Sequence, residues 1–207
     1  RDWTLRVESN PISSLQSLIS NGFIVAIKGL GGFHLACDAT NANAVAELRR
    51  RKLRVDKPFA LMMLDVASVA QHCFVSADER ALLESRERPI VLLRRRPDSP
   101  IAEQVAPQNE FLGVMLPYTP LHYLILTEDR RPKTESAFPS SILRPSSVLV
   151  MTSGNLSEEP IATNNAEARE RLATLADAFV MHDRDIRTRC DDSVMRVISA
   201  TGDTEST

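Results

Sequence analysis

Two pairs of polar residues, each with one residue between them, are the first places where this chain can do chemistry. Lys52 and Arg54 lie in a basic stretch at 49–57, and Ser153 and Asn155 close an apolar run at 148–152. Residues two apart share a face of an extended chain and point to nearly opposite sides of a helix. An extended Lys-x-Arg edge offers a point charge and a planar fork to one polyphosphate. Lys57 continues that edge before Pro58, which favours an extended Asp56. The plain alternative is a solvated basic helix end, where cations offset the helix dipole. Ligands in open α/β sheets collect beyond the carboxyl ends of strands, so the Ser153 hydroxyl and the Asn155 amide can meet phosphate or ribose oxygens. Ser-Gly-Asn is equally good turn chemistry.

Three further segments carry candidates. KGLGGFHLACDATN (28–41) holds Lys28, His34 and three glycines between an apolar strand and a helix. Its glycines match neither a P-loop nor a dinucleotide fingerprint, so as a phosphate cradle the motif is weak, and Lys28 reads equally as a snorkelling lysine. HDRDIRTRCDDS (182–193) offers Arg184 and Arg189 to phosphate, and Asp191 and Asp192 to Mg²⁺ held through water. A salt-bridged surface hairpin explains the same charges. Arg94-Arg95-Arg96 with Arg49 to Arg54 resembles an RNA face only in charge, because no aromatic interleaves with the arginines. His34 and Cys37 are spaced like metal ligands, but without a CxxC pair, and with four scattered histidines, no zinc site is expected.

The elements that must position these residues follow from periodicity and caps. Helices are expected over 11–21, 41–51 (capped by Asp38 or Thr40, with Ala44, Val45 and Leu48 inward), 66–72, 76–85 (opened by the capping box Ser76 to Glu79), 119–126 (Thr119 as N-cap, Pro120 at N1) and 164–175. Strands are expected over 23–27, 35–36, 58–64, 89–93, 112–116, 148–152, 179–182 and 193–198. Strands and helices alternate, with some strands in direct succession, so the class is α/β with a mixed sheet. Residues 1–198 read as one domain, 127–147 as a long exposed loop and 199–207 as a tail or linker. A length of 207 residues supports a sizeable core. The net charge of −2 argues against a global pull toward nucleic acid or anionic membrane. No apolar run reaches the length of a spanning helix, and the first residues lack a signal-peptide core. Three widely spaced cysteines suit a reducing, cytoplasmic setting. The start at Arg1 suggests a piece of a longer or processed polypeptide.

The stretches KGLGGFHLACDATN, RRKLRVDKPFALM, ERPIVLL, LGVMLPYTPLH, VMTSGNLSEEPI and HDRDIRTRCDDSV, in that order over 22–197, resemble the YrdC-like domain in the form found in HypF-type carbamoyltransferases of nickel–iron hydrogenase maturation. The resemblance implies a twisted mixed sheet with flanking helices and a concave face that binds ATP with Mg²⁺. It implies activation of carbamate, derived from carbamoyl phosphate, as carbamoyl adenylate with release of pyrophosphate. The carbamoyl group would end on the C-terminal cysteine of the acceptor HypE. The family's KxR pair falls on Lys52 and Arg54 as catalytic residues, and its SxN pair on Ser153 and Asn155. Ser193 matches a serine that meets phosphate in relatives. Lys57, Arg184 and Arg189 are further phosphate candidates, Lys28 and His34 candidates for the carbamate end, and Asp191 and Asp192 for the metal. Acylphosphatase-like, zinc-finger and Kae1-like domains of the full polypeptide would supply the remaining steps. The tRNA-modifying branch, which makes threonylcarbamoyl adenylate, carries Thr-x-Thr-Val-Tyr-Gly-Leu where this chain has GLGGFHL, and an arginine in place of Met115. Losing an arginine that grips a carboxylate fits a substrate without threonine. Threonine chemistry, a silent RNA-binding module and a docking domain are the alternatives.

Overall fold

The computed structural model describes residues 11–127, 148–156 and 159–198. The expected loop at 127–147, Thr127 apart, and the tail at 199–207 lie outside them. Eight strands form one mixed sheet: β1 (Val25–Lys28), β2 (Phe33–Asp38), β3 (Ala60–Met63), β4 (Ile90–Arg94), β5 (Phe111–Met115), β6 (Val148–Ser153), β7 (Ala178–Val180) and β8 (Val194–Met195). Their order is β7-β1-β2-β6-β3-β5-β4-β8. The pairs β1/β7, β3/β5 and β4/β8 are parallel, and the others are antiparallel.

Alternation along the strands divides the core between the two faces. Val148 and Val150 join Phe33, Leu35, Leu61 and Val114 on one face, beneath α2 (Ala42–Lys52), α3 (Val66–His72), α4 (Ala77–Glu84) and α6 (Asn165–Arg171). Leu149 and Met151 join Val25, Ile27, Ala36 and Met62 on the other, with Leu15 and Ile19 of α1 (Pro11–Ser20) and Ile125 of α5 (Pro120–Leu126). Over β3, β5 and β4 this second face is built from Ala60, Gly113, Ile90 and Leu92, and a cavity of about 410 Å³ lies against it. Among the described residues no helix is long and apolar enough to cross a membrane.

Several local expectations are met residue for residue. The Ser76 capping box and the Thr119 cap with Pro120 at N1 both form. Others are corrected. Asn41 caps α2, because Asp38 spends its carboxylate on the Thr40 N–H and hydroxyl, at 2.8 and 2.7 Å. β2 runs for six residues because it lies in mid-sheet, paired on both sides. α6 ends at Arg171, β8 is only two residues long, and a 3₁₀ turn at Glu103–Val105 was not legible beforehand.

Candidate active site

The Lys-x-Arg pair owes its geometry to a helix end. Leu53 takes a left-handed conformation (φ 53°), and the Leu53 and Arg54 amides donate back to Arg50 and Arg49, a Schellman closure. The chain therefore reverses direction between Lys52 and Arg54, so neither the helical nor the extended reading of the spacing applies. Lys52 points inward and is 1% exposed. Its Nζ donates to the carbonyls of Ser153 and Asn155, both at 2.6 Å, and to Asn155 Oδ1 at 3.1 Å. The Ser153 hydroxyl donates to the same amide oxygen at 2.8 Å. The two motifs are thus one structure, with Lys52 as its pin. Burial, together with Arg54 and Lys57, pushes the ammonium down to about 7, while Asp191 opposes the shift.

Arg54 stands at the rim. Its guanidinium donates to Thr152 Oγ1 (3.2 Å), Lys57 O (2.9 Å) and Pro58 O (2.5 Å), and lies 4.9 Å from the centre of the Phe59 ring. Burial and Arg49 lower it to about 10, so it stays charged at neutral pH. Arg54, Lys57, Thr152, Ser153, Asp191 and Asp192 line the cavity, with Phe59 in its wall. Two cations and two carboxylates line one space of a size suited to a small ligand, within the usual range of about 300–1,000 Å³. Among the described residues no group of three or more His, Cys, Asp or Glu side chains could hold a metal. Asp191 and Asp192 alone fit a Mg²⁺ that arrives bound to phosphates and keeps most of its water.

The remaining candidates lie elsewhere. Lys28 is buried and donates to the His182 carbonyl at 3.0 Å. Arg189 donates to Ile161 O at 3.0 Å. Arg184 lines a second cavity of about 540 Å³ with Gly29, His182 and Arg187. Ser193 accepts the Ile90 amide at 2.8 Å, which holds β8 to the sheet between two cavity-lining neighbours, Asp192 and Val194. The glycines serve close chain crossings instead of a phosphate cradle. A Cβ on Gly31 would lie 2.4 Å from Cys190 O, one on Gly32 2.3 Å from Ile161 Cγ2, and one on Gly154 2.7 Å from Phe33 O.

His34 opposes Ser153 across the β2/β6 ladder and faces α5 with Ala36. Tyr118 donates to Asp192 Oδ1 (3.3 Å), and its oxygen lies 3.2 Å from His34 Nε2. Which of the two donates depends on the imidazole tautomer, and so does the state of the other ring nitrogen, Nδ1. That Nδ1 is buried without a hydrogen-bond partner in the protein, as are both ring nitrogens of His122. His122 packs edge-on to Tyr118 with centroids 4.6 Å apart, and burial with His34 pushes it down to about 3. An unpaired buried polar atom costs about 1–3 kcal/mol, so three of them in one cluster need an explanation. Tyr118, His122, Thr152 and Phe59 were missed from the sequence. The one available signal was a lone histidine in the otherwise apolar helix PLHYLIL.

Much of the basic runs considered as an RNA face is engaged by the fold, although Arg94 and Arg50 stay exposed. Arg49 donates to the carbonyls of Gln104, Arg54, Val55, Lys57 and Val105. Arg50 and Arg51 bind Glu47, Arg95 binds Ser99 O and Ile101 O, and Arg96 binds Ala70 O and Cys73 O.

A mixed eight-stranded sheet whose SxN turn is pinned by the lysine of a KxR motif defines a class, and sequence comparison agrees. The Sua5/YciO/YrdC family model, described as telomere recombination, matches residues 17–204, and the chain belongs to this family. Within it, the chain is similar to Carbamoyltransferase HypF2 of Cupriavidus necator, 54% identical over 192 residues, covering 90% of this chain and 23% of that protein. Carbamoyltransferase HypF of Rhodobacter capsulatus is 53% identical over 176 residues, covering 85% and 21%. The chain therefore spans less than a quarter of the curated relatives it matches. Among solved structures, full-length HypF in its phosphate- and nucleotide-bound form superposes with a TM-score of 0.79 at 46% identity, over 92% of this chain and 23% of that one. Sua5 of P. abyssi complexed with L-threonine has a TM-score of 0.73 at 16% identity, over 93% of this chain and 52% of that one, which speaks for the fold alone.

Proposed function

We propose that this chain is the nucleotide-binding part of a HypF-type carbamoyltransferase and forms carbamoyl adenylate from carbamate and ATP. The observation that carries the reading is the junction of Lys52 with Ser153 and Asn155, which sets Arg54 and Lys57 on a cavity that also presents Ser153. The similarity to a HypF solved in a phosphate- and nucleotide-bound form supports nucleotide binding. A carbamate oxygen attacks the α-phosphorus in line. The new O–P bond forms as the bond between the α-phosphorus and its bridging oxygen breaks, and pyrophosphate leaves with that electron pair. Catalysis of this kind rests on positioning and charge stabilisation.

Arg54 and Lys57 neutralise charge on the phosphates, and Ser153 orients the nucleotide. Lys52 acts mainly from behind, as a positive charge and as the pin that fixes the turn. Asp191 and Asp192 would hold the Mg²⁺ that accompanies ATP, and the ion would supply charge neutralisation at the phosphates. Carbamoyl phosphate cleavage and transfer to HypE belong to other parts of such an enzyme. Met115 lies fully buried in the face shared with α1 and α5, so it brings no charge to grip a threonine carboxylate. The test is pyrophosphate release from ATP with carbamate, in wild type and Arg54→Ala. Carbamate-dependent release lost in the variant supports the reading; release that requires threonine moves the chain to the other branch.

A further inference from the structure

Of the two carboxylates on the cavity, Asp192 is held by its backbone on both sides and by a single side chain. The Cys190 amide donates to Gly31 O at 3.1 Å, and Ser193 O accepts the Ile90 amide at 2.8 Å, so the chain at 191–192 is fixed at both ends. The Asp192 amide donates to Asp191 Oδ1 at 3.0 Å. The Asp192 carboxylate is half-buried and lines the cavity. Among the described residues it makes no ion pair, and its one hydrogen-bond donor is the Tyr118 hydroxyl, 3.3 Å from Oδ1. An ionised carboxylate only accepts, so the phenol is the donor in this bond. Asp191 is exposed and has no such side-chain donor among the described residues. Tyr118 is itself held firmly. It precedes Thr119, the N-cap of α5, whose Oγ1 accepts the His122 amide at 3.2 Å. Its ring packs edge-to-face with that of His122, with centroids 4.6 Å apart.

We infer that Tyr118 is a positioning residue for the divalent cation of the nucleotide: its hydroxyl occupies Asp192 Oδ1, sets the orientation of the carboxylate, and leaves Oδ2 for the ion. This assignment rests on the reading of the cavity as a Mg²⁺-nucleotide site. Mg²⁺ demands near-ideal octahedral geometry and takes few protein ligands, so a carboxylate that serves it must be aimed. Carboxylates that ligate metals are in turn hydrogen-bonded, and loss of such a partner costs about 10–100-fold in metal affinity. Tyr118 is not among the residues that line the cavity, so it acts through Asp192 and not by touching the nucleotide. It stands outside the KxR and SxN motifs, in the turn between β5 and α5, and reaches Asp192 only through the fold.

The experiment compares calorimetric affinities for ATP with Mg²⁺ and for ATP with EDTA, in wild type, Tyr118→Phe, Asp192→Asn and the double variant. The expected result is that wild type prefers Mg²⁺-ATP, and that Tyr118→Phe loses about tenfold or more of its Mg²⁺-ATP affinity while metal-free ATP binds as before. The double variant should bind Mg²⁺-ATP no more weakly than Asp192→Asn alone, because the two residues act as one unit. A merely structural role would weaken both forms of ATP equally in Tyr118→Phe. That outcome, unchanged Mg²⁺-ATP binding in Tyr118→Phe, additive losses in the double variant, or a wild type indifferent to Mg²⁺ would each overturn the inference while the nucleotide reading stands. If the folded wild type binds neither form, the nucleotide reading fails and this inference falls with it. Where Tyr118→Phe does not fold, the Tyr118 ring ¹³C resonances of wild type decide. Signals that move with Mg²⁺-ATP and not with metal-free ATP support the assignment; signals that move equally with both, or with neither, overturn it.

Discussion

Lys52 places opposite pH signatures on stability and on binding. Its ammonium titrates near 7 in the fold, against an ordinary value of 10.5. Between those values the unfolded chain binds the extra proton, so this group's contribution to stability rises with pH from about 7 toward 10.5; below 7 its full cost is present. An anionic nucleotide favours the protonated form. Affinity for ATP is therefore expected to weaken as pH rises above about 7, by at most tenfold per unit, and to do so less steeply in Lys52→Met. Calorimetric titrations at pH 6.5, 7.5 and 8.5 check this; equal slopes in both proteins would remove Lys52 from the binding electrostatics. Lys57 is exposed and bound to the fold mainly through its backbone carbonyl, so Lys57→Ala should leave thermal stability within about 0.5 kcal/mol while weakening ATP binding severalfold. Lys52 and Arg54 were legible as chemistry from their types alone, but their division of labour was not. Which of two neighbouring cations faces the ligand is decided by one left-handed residue between them.

At the scale of elements, two turns hold the site in register. Leu53 adopts the left-handed conformation with its side chain 75% exposed. Glycine relieves about 1 kcal/mol of backbone strain there and gives up little burial, whereas a β-branched residue adds strain. Leu53→Gly is expected to unfold at equal or slightly higher urea concentration, and Leu53→Val at lower, with weaker ATP binding as Arg54 shifts. Gly154 allows the SxN turn to approach β2, where its amide donates to Phe33 O at 2.6 Å. In Gly154→Ala the new Cβ would meet that oxygen at 2.7 Å, so the turn must move and Lys52 loses its acceptors. A loss of about 1–3 kcal/mol in urea unfolding together with loss of nucleotide binding is expected; unchanged binding would separate the turn from the site. Helix starts were readable because each cap is local, as at Ser76 and Thr119. The length of β2 was not, because it depends on strands far away in sequence, and the capping by Asn41 turned on a local competition that Asp38 leaves by binding Thr40.

Taken as a whole molecule, the cavity lies against the sheet face where β3, β5 and β4 present Ala60, Gly113, Ile90 and Leu92. The alternation of strands and helices announced the α/β class and the mixed sheet, while strand order came only from register. Tyr118 and His122 stayed hidden because α5 meets β2 only in three dimensions. The arginines at 49–51 and 95–96 are engaged by backbone carbonyls and carboxylates, so RNA binding with a steep salt dependence is not expected; filter binding at 50 and 200 mM salt checks it. The central claim is that ATP is held where the KxR and SxN motifs meet. The most direct measurement is a calorimetric titration of Mg²⁺-ATP into the wild type and into Arg54→Ala/Lys57→Ala. Saturable one-to-one binding in the wild type, weakened by tenfold or more in the folded variant, is the predicted result. Undiminished binding in that variant, or none by the folded wild type, would contradict it.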